Sequence, residues 1–199
     1  MTLVPALTET WTGLTPPYST IVADPPWHYD SHATMPGSAN KKGHAVKREA
    51  LPYSTMSLTE IRSVPVEELA APDAWLFLWT TNAYLPDAFT VMEAWGFHYR
   101  QTLVWHKTGN PSPFGGSVAP NHAEFLLVGA HGRPKVEGRH KAGSVIAAPK
   151  PYEHSRKPEV FLDIIEEVAP APRVELFARR DRLGWDSWGY GYEQVGGPS

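Results

Sequence analysis

Residues 74–79 read AWLFLW, six apolar side chains in succession. A strand with one wet face alternates polar and apolar residues, so an unbroken run needs cover on both faces. Ser19–Ala23 reads as a second buried strand, Tyr99–His106 and Glu124–Val128 as further strands, and Val174–Ala178 (VELFA) as the last. Helical patterns lie between them. Ser57-Leu58-Thr59-Glu60 is a capping box opening a short helix toward Leu69, which Pro65 kinks or splits. Pro86–Trp95 places Phe89, Met92 and Trp95 at helical spacing, with Gly96 as a stop. Pro158–Val168 gathers Val160, Phe161, Ile164, Ile165 and Val168 on one face. Strands alternating with helices predict an α/β fold, a mostly parallel sheet with helices on both faces. Ligands of such sheets bind beyond the carboxyl ends of the strands.

Length and composition narrow the class. At 199 residues the chain is expected to form one domain over 1–199, with its core at about 18–190. Loops are expected at about 28–52, 108–122 and 131–157. No apolar run is long enough to span a membrane, and the N-terminus lacks a signal-peptide pattern. The absence of cysteine excludes disulfides and thiolate–zinc sites, and the cytoplasm is the expected compartment. The net charge of −3 is unevenly spread, because residues 41–48 carry +4 and residues 131–157 carry +5. Basic loops on an acidic body suit a polyanion gripped at one place, although solvated loops would look the same.

The stretch TIVADPPWHY puts an acid and two prolines where a buried strand ends. Pro25 and Pro26 remove two backbone donors and fix their carbonyls, and Asp24 adds an acceptor-only carboxylate. Trp27 offers a flat surface for stacking a ring. Converging acceptors beside an indole suit an exocyclic amine on a planar heterocycle, with positioned proton acceptance as the chemistry. The competing reading is a rigid turn with a buried tryptophan. By strand order, Lys107 and Arg179 fall on the same rim as Asp24.

Residues well beyond the tetrapeptide carry a family resemblance. LPYSTMSLTEIRSVPVEEL, AWLFLWTTN, WGFHYRQTLVWHKTG, NHAEFLLVG, HSRKPEVFLDIIEEV and VELFARRDRLGWDSWG follow DPPW in order. Together they resemble the adenine-N6 methyltransferase family that includes the catalytic subunit of the eukaryotic messenger-RNA methylating complex. The resemblance implies a Rossmann-like fold with S-adenosylmethionine as cofactor, in the permuted order that sets the catalytic motif before the cofactor half. It implies catalytic roles for Asp24, Pro25, Pro26 and Trp27, with Asp24 also facing the cofactor sulfonium. On the acceptor side it implies Tyr53, Trp79, Trp105, Asn121 and Glu124, and Lys107 joins them by position. The Asn-to-Glu spacing is one residue shorter than in the eukaryotic form. On the cofactor side it implies Lys157 and Arg179, then Glu175 and Asp181 more weakly, and the ribose contacts (Asp181, Tyr190) transfer least well. Without the resemblance, residues 179–182 (RRDR) would read as a solvated charge cluster.

Nine histidines form neither an HExxH motif nor a helical i, i+4 pair, so no metal site is expected. The expected partner is adenine-containing nucleic acid, DNA modestly favoured over RNA, with any duplex base flipped out for reaction. A homodimer or a partner subunit also fits, and no membrane is involved. Two alternatives stand beside this reading. One is a catalytically silent nucleic-acid-binding subunit, which would be expected to have lost Asp24, Lys157 or Arg179. The other is a methyltransferase for cytosine N4 or a protein amide, whose tetrapeptide tends to begin with Ser or Asn and end with Tyr.

Overall fold

The computed structural model describes residues 11–28, 55–109, 118–141, 143–151 and 156–189. Seven strands form one sheet: β1 (Tyr18–Ala23), β2 (Ala70–Thr80), β3 (His98–Thr108), β4 (Ala123–His131), β5 (Val145–Pro149), β6 (Arg173–Leu176) and β7 (Asp186–Trp188). Their order is β5-β3-β4-β2-β1-β6-β7. Only β4 runs against its neighbours; every other pairing in the sheet is parallel. The fold is the Rossmann-like, mostly parallel α/β architecture, with the DPPW strand β1 inside the sheet between β2 and β6 and preceding β6 in the chain.

Alternation along β2 explains its apolar run. Leu76 and Leu78 point to one core with Ile21, Ala23, Val174 and Leu176; Phe77 and Trp79 point to the other with Val22, Leu103 and Leu126. The first face is covered by α1 (Leu58–Ser63), a 3₁₀ turn at Val66–Leu69 and α2 (Leu85–Ala94). The second is covered by α3 (Glu159–Val168) through Phe161, Leu162, Ile164 and Ile165. Truncating a ring buried like Phe161 typically costs about 3–5 kcal/mol.

The local signals map onto this frame. Ser57 Oγ accepts the Glu60 amide while Glu60 returns its carboxylate to the Ser57 amide at 2.7 Å. Pro65 lies between α1 and the 3₁₀ turn, splitting what would otherwise continue as one helix. Gly96, at φ +78, ends α2 as glycine does at a helix C-terminus. Gly129 on β4 leaves room for Met92, whose sulfur would lie 2.9 Å from an added Cβ.

Two expectations need correction. Residues 131–157 do not form one loop, because β5 adds a parallel edge strand to β3 within them. Its alternating burial spans only five residues, too short to stand out among the flanking Gly, Pro and basic positions. The strand expected over Val174–Ala178 stops at Leu176, where Phe177 turns to φ +61. The chain then returns as β7, a three-residue strand held in register only by β6. The expected 28–52 loop lies almost wholly outside the described residues, as does part of 108–122. Among the described residues no helix is long and apolar enough to cross a membrane.

Candidate functional site

The carboxyl ends of β1, β2, β3 and β6 share one rim, and because β4 is reversed its amino end joins them. Asp24 follows β1 directly. Both of its carboxylate oxygens accept from Lys157 Nζ, at 2.9 and 2.8 Å. Lys157 lies just before α3, so the helix that covers the sheet also delivers this ammonium. The same Nζ is 3.4 Å from Glu124 Oε2 at the start of β4, and Glu124 Oε1 accepts from Lys107 Nζ at 2.5 Å. Asp24, Lys157, Glu124 and Lys107 thus form a chain of alternating charge, floored by aromatic rings. Lys157 lies 5.4 Å from the Trp79 ring centre and Lys107 4.9 Å from that of Trp105. Both indoles are buried, and Trp105 donates to the Ala148 carbonyl at 2.9 Å.

The electrostatics follow from this burial. Desolvation opposes charge on Lys157, but Asp24 and then Glu124 outweigh it and raise the ammonium above its ordinary range. Burial also pushes Glu124 upward, yet Lys157 and Lys107 together hold its carboxyl below the usual value. Glu175, on β6 in register with Val22 of β1, behaves oppositely. Its burial, and after it the charge of Asp24, push its carboxyl up to about 7 against the pull of Arg182 and Lys157. Two buried groups of this rim, Lys157 and Glu124, are thus held toward their charged forms, while Glu175 is held toward its neutral one.

Pro25 and Pro26 shape the turn. The Trp27 amide donates to the Pro25 carbonyl and the Met56 amide to the Pro26 carbonyl, both at 2.8 Å, and Trp27 and Met56 form an isolated parallel bridge. Each proline carbonyl keeps a second lone pair. The Trp27 indole is 5% exposed, donates to the Trp79 carbonyl at 3.2 Å and stacks on Tyr84 with ring centres 5.4 Å apart. Tyr84 was not legible as a site residue; the only signal is its place in the TTNAY turn following AWLFLW.

The remaining candidates separate by position. Asn121 caps the start of β4 through the Ala123 amide at 3.2 Å. Arg179 and Asp181 are exposed on the loop after β6, at its Asp24 end. Tyr53 and Tyr190 lie outside the described residues. Among the described residues no group of three or more His, Asp or Glu could hold a metal ion. A cavity of about 340 Å³ between Phe77, Leu103, Val128 and Ile164 opens on the α3 face, lined by none of the candidate residues.

The arrangement suits a sulfonium cofactor bearing a carboxylate and an amine. Lys157 and Arg179 supply cations, Asp24 and Glu175 supply acids, and the buried Glu124 Oε2, ion-paired with Lys157 at 3.4 Å but without a hydrogen bond among the described residues, is a further acceptor. Comparison with known proteins gives the family. A model of the MT-A70 family matches residues 18–191. The chain is 33% identical over 183 residues to the Type II methyltransferase M.MunI of Mycoplasma sp, covering 86% of this chain and 76% of that protein. It is 29% identical over 180 residues to the N(6)-adenosine-methyltransferase MT-A70-like protein of Arabidopsis thaliana, covering 86% and 23%. With the human N(6)-adenosine-methyltransferase catalytic subunit METTL3 the identity is 27% over 168 residues, covering 81% and 26%. The chain thus spans about a quarter of the length of these two eukaryotic relatives.

Proposed function

The chain belongs to the MT-A70 family of S-adenosylmethionine-dependent N6-adenine methyltransferases, and we propose that its Asp24 rim methylates adenine in DNA. The observation that carries this reading is the Asp24 carboxylate, gripped by Lys157 through both oxygens where four strand carboxyl ends meet. An ionised carboxylate offers about four acceptor sites, of which Lys157 uses two, so Asp24 retains capacity for the N–H groups of an amine. The Pro26 carbonyl adds a second acceptor fixed in direction by the Met56 amide. Trp27, braced by Tyr84 and almost wholly buried, walls the adenine pocket, and Trp79, Trp105, Asn121 and Tyr53 are assigned to the acceptor side.

S-adenosylmethionine supplies an electrophilic methyl group on a positively charged sulfur. Held there, it would give its methyl group to N6 and leave as a neutral thioether, and Asp24 would accept the proton that N6 gives up. Acceptors already aimed at the amine stabilise positive charge as it develops on N6 and cost no reorganisation during reaction. Asp24 is the first acceptor in reach; Lys157, which holds both of its oxygens, also faces the cofactor carboxylate, with Arg179, Glu175 and Asp181 on the cofactor side. Lys107 and the basic segments at 41–48 and 131–157 supply phosphate contacts, so binding should weaken steeply with salt.

The preference for DNA rests on the likeness to the Type II methyltransferase M.MunI, of which the chain covers 76%. Methylation of matched DNA and RNA oligonucleotide pools, followed by nucleoside mass spectrometry, tests it. N6-methyladenine mainly in the DNA pool is expected. Preference for the RNA pool would overturn the substrate assignment, N4-methylcytosine would overturn the acceptor, and no product with either pool would favour a silent subunit.

A further inference from the structure

Glu159, Asp163 and Glu166 stand at i, i+4 and i+7 along α3, a spacing that aligns them on one face. All three converge on one residue. Arg182 Nη1 donates to Glu159 Oε2 at 2.9 Å, Nη2 to Asp163 Oδ1 at 2.7 Å, and Nε to Glu166 Oε1 at 2.8 Å. Glu166 also accepts from the Trp185 indole at 2.7 Å, and Glu159 pairs with Arg156 and Arg180 as well. The loop carrying Arg182 leaves β6 through the positive-φ Phe177 and returns to the sheet at β7. Between those points lie Arg179 and Asp181, the two exposed cofactor candidates. A turn from Arg182 to Trp185, closed at 3.1 Å with Gly184 at φ +80, fixes its far end.

We propose that Arg182 is a positioning residue that sets affinity for S-adenosylmethionine by clamping this loop to α3. The proposal rests on the cofactor assignment made above. Lys157 lies just before α3, whereas Arg179 and Asp181 ride on the loop, and Arg182 is the most extensive joint between the two, beside Arg180–Glu159 and Trp185–Glu166. Its charge also reaches Glu175, the acid beside Asp24. A partly exposed ion network contributes little to stability, typically about 0–1 kcal/mol per pair. Its multidentate geometry, by contrast, fixes where the loop sits, and a guanidinium with five donors in a rigid fork suits three acceptors at once.

Calorimetry of the full chain with S-adenosylmethionine provides the test. Arg182→Ala is expected to raise the Kd about tenfold while the KM for an adenine oligonucleotide stays within about twofold. Arg182→Lys, able to reach fewer carboxylates, should recover part of the loss. Amide hydrogen exchange should quicken at residues 178–184 in Arg182→Ala, a readout independent of ligand. Asp163→Asn combined with Glu166→Gln loosens the same clamp from its solvent side and decides the matter should Arg182→Ala fail to fold. An unchanged Kd in folded variants, or a rise in oligonucleotide KM equal to that for the cofactor, would overturn the clamp. Wild-type protein that binds no S-adenosylmethionine would overturn the cofactor assignment along with it, and is distinguishable because a failed clamp leaves wild-type binding intact.

Discussion

Two ionic networks flank α3, and they are built differently. The Asp24–Lys157–Glu124–Lys107 chain lies at the strand ends over two indoles, and none of its side chains is more than 22% exposed. The Arg182 clamp lies along the helix, where its acids are 34–62% exposed. Burial makes each charge in the first network expensive to leave unpaired, so loss of one partner is felt by all the others. Water screens the second, leaving geometry as its main product. The contrast fits the separate roles proposed for these charges: chemistry at the strand ends and placement along the helix.

Breaking the buried network should have the larger effect. Lys157→Ala leaves Asp24 and Glu124 without their shared cation, and kcat/KM for methyl transfer is expected to fall about 10²–10³-fold, read by radiolabelled methyl incorporation. Glu124→Gln should cost about tenfold in the same assay and lower the Lys157 ammonium from its raised position, which NMR titration of a labelled lysine would follow.

Glu175 gives a subtler probe. Its folded carboxyl titrates near 7, above the unfolded value, so the folded state binds the extra proton. Its contribution is complete below about pH 4.5 and is lost as pH rises toward and through 7. Glu175→Gln should therefore leave thermal stability at pH 5 nearly unchanged. At pH 8 it should raise stability by about 2–3 kcal/mol at most, seen as a flatter Tm–pH profile. At the exposed end, Asp163→Asn alone is expected to change stability by no more than about 0.5 kcal/mol in urea unfolding, less still at high salt.

Legibility in the sequence followed the same divide. AWLFLW announced a strand covered on both faces, and β2 has that environment. The capping box and Pro65 marked α1 and its end because those signals are local. β5 and β7 were not legible, since strands of five and three residues take their conformation from β3 and β6 rather than from their own pattern. In the site, Asp24 and Lys157 were legible only through motifs 133 residues apart, and nothing in spacing alone could join them. RRDR read equally well as a solvated charge cluster. What gives Arg182 its place is the i, i+4, i+7 acid stripe on α3, which has meaning only once the helix is packed beside that loop.

The most direct measurement of the central claim is nucleoside mass spectrometry after reaction of Asp24→Ala with an adenine-containing DNA oligonucleotide. Its S-adenosylmethionine should be held at saturation, and circular dichroism should confirm a folded chain. The expected result is N6-methyladenine from wild type and a loss of about 10²–10⁴-fold or more in the variant. A folded Asp24→Ala protein that still produces N6-methyladenine at the wild-type rate would contradict the assignment of Asp24 as the acceptor of the adenine amine.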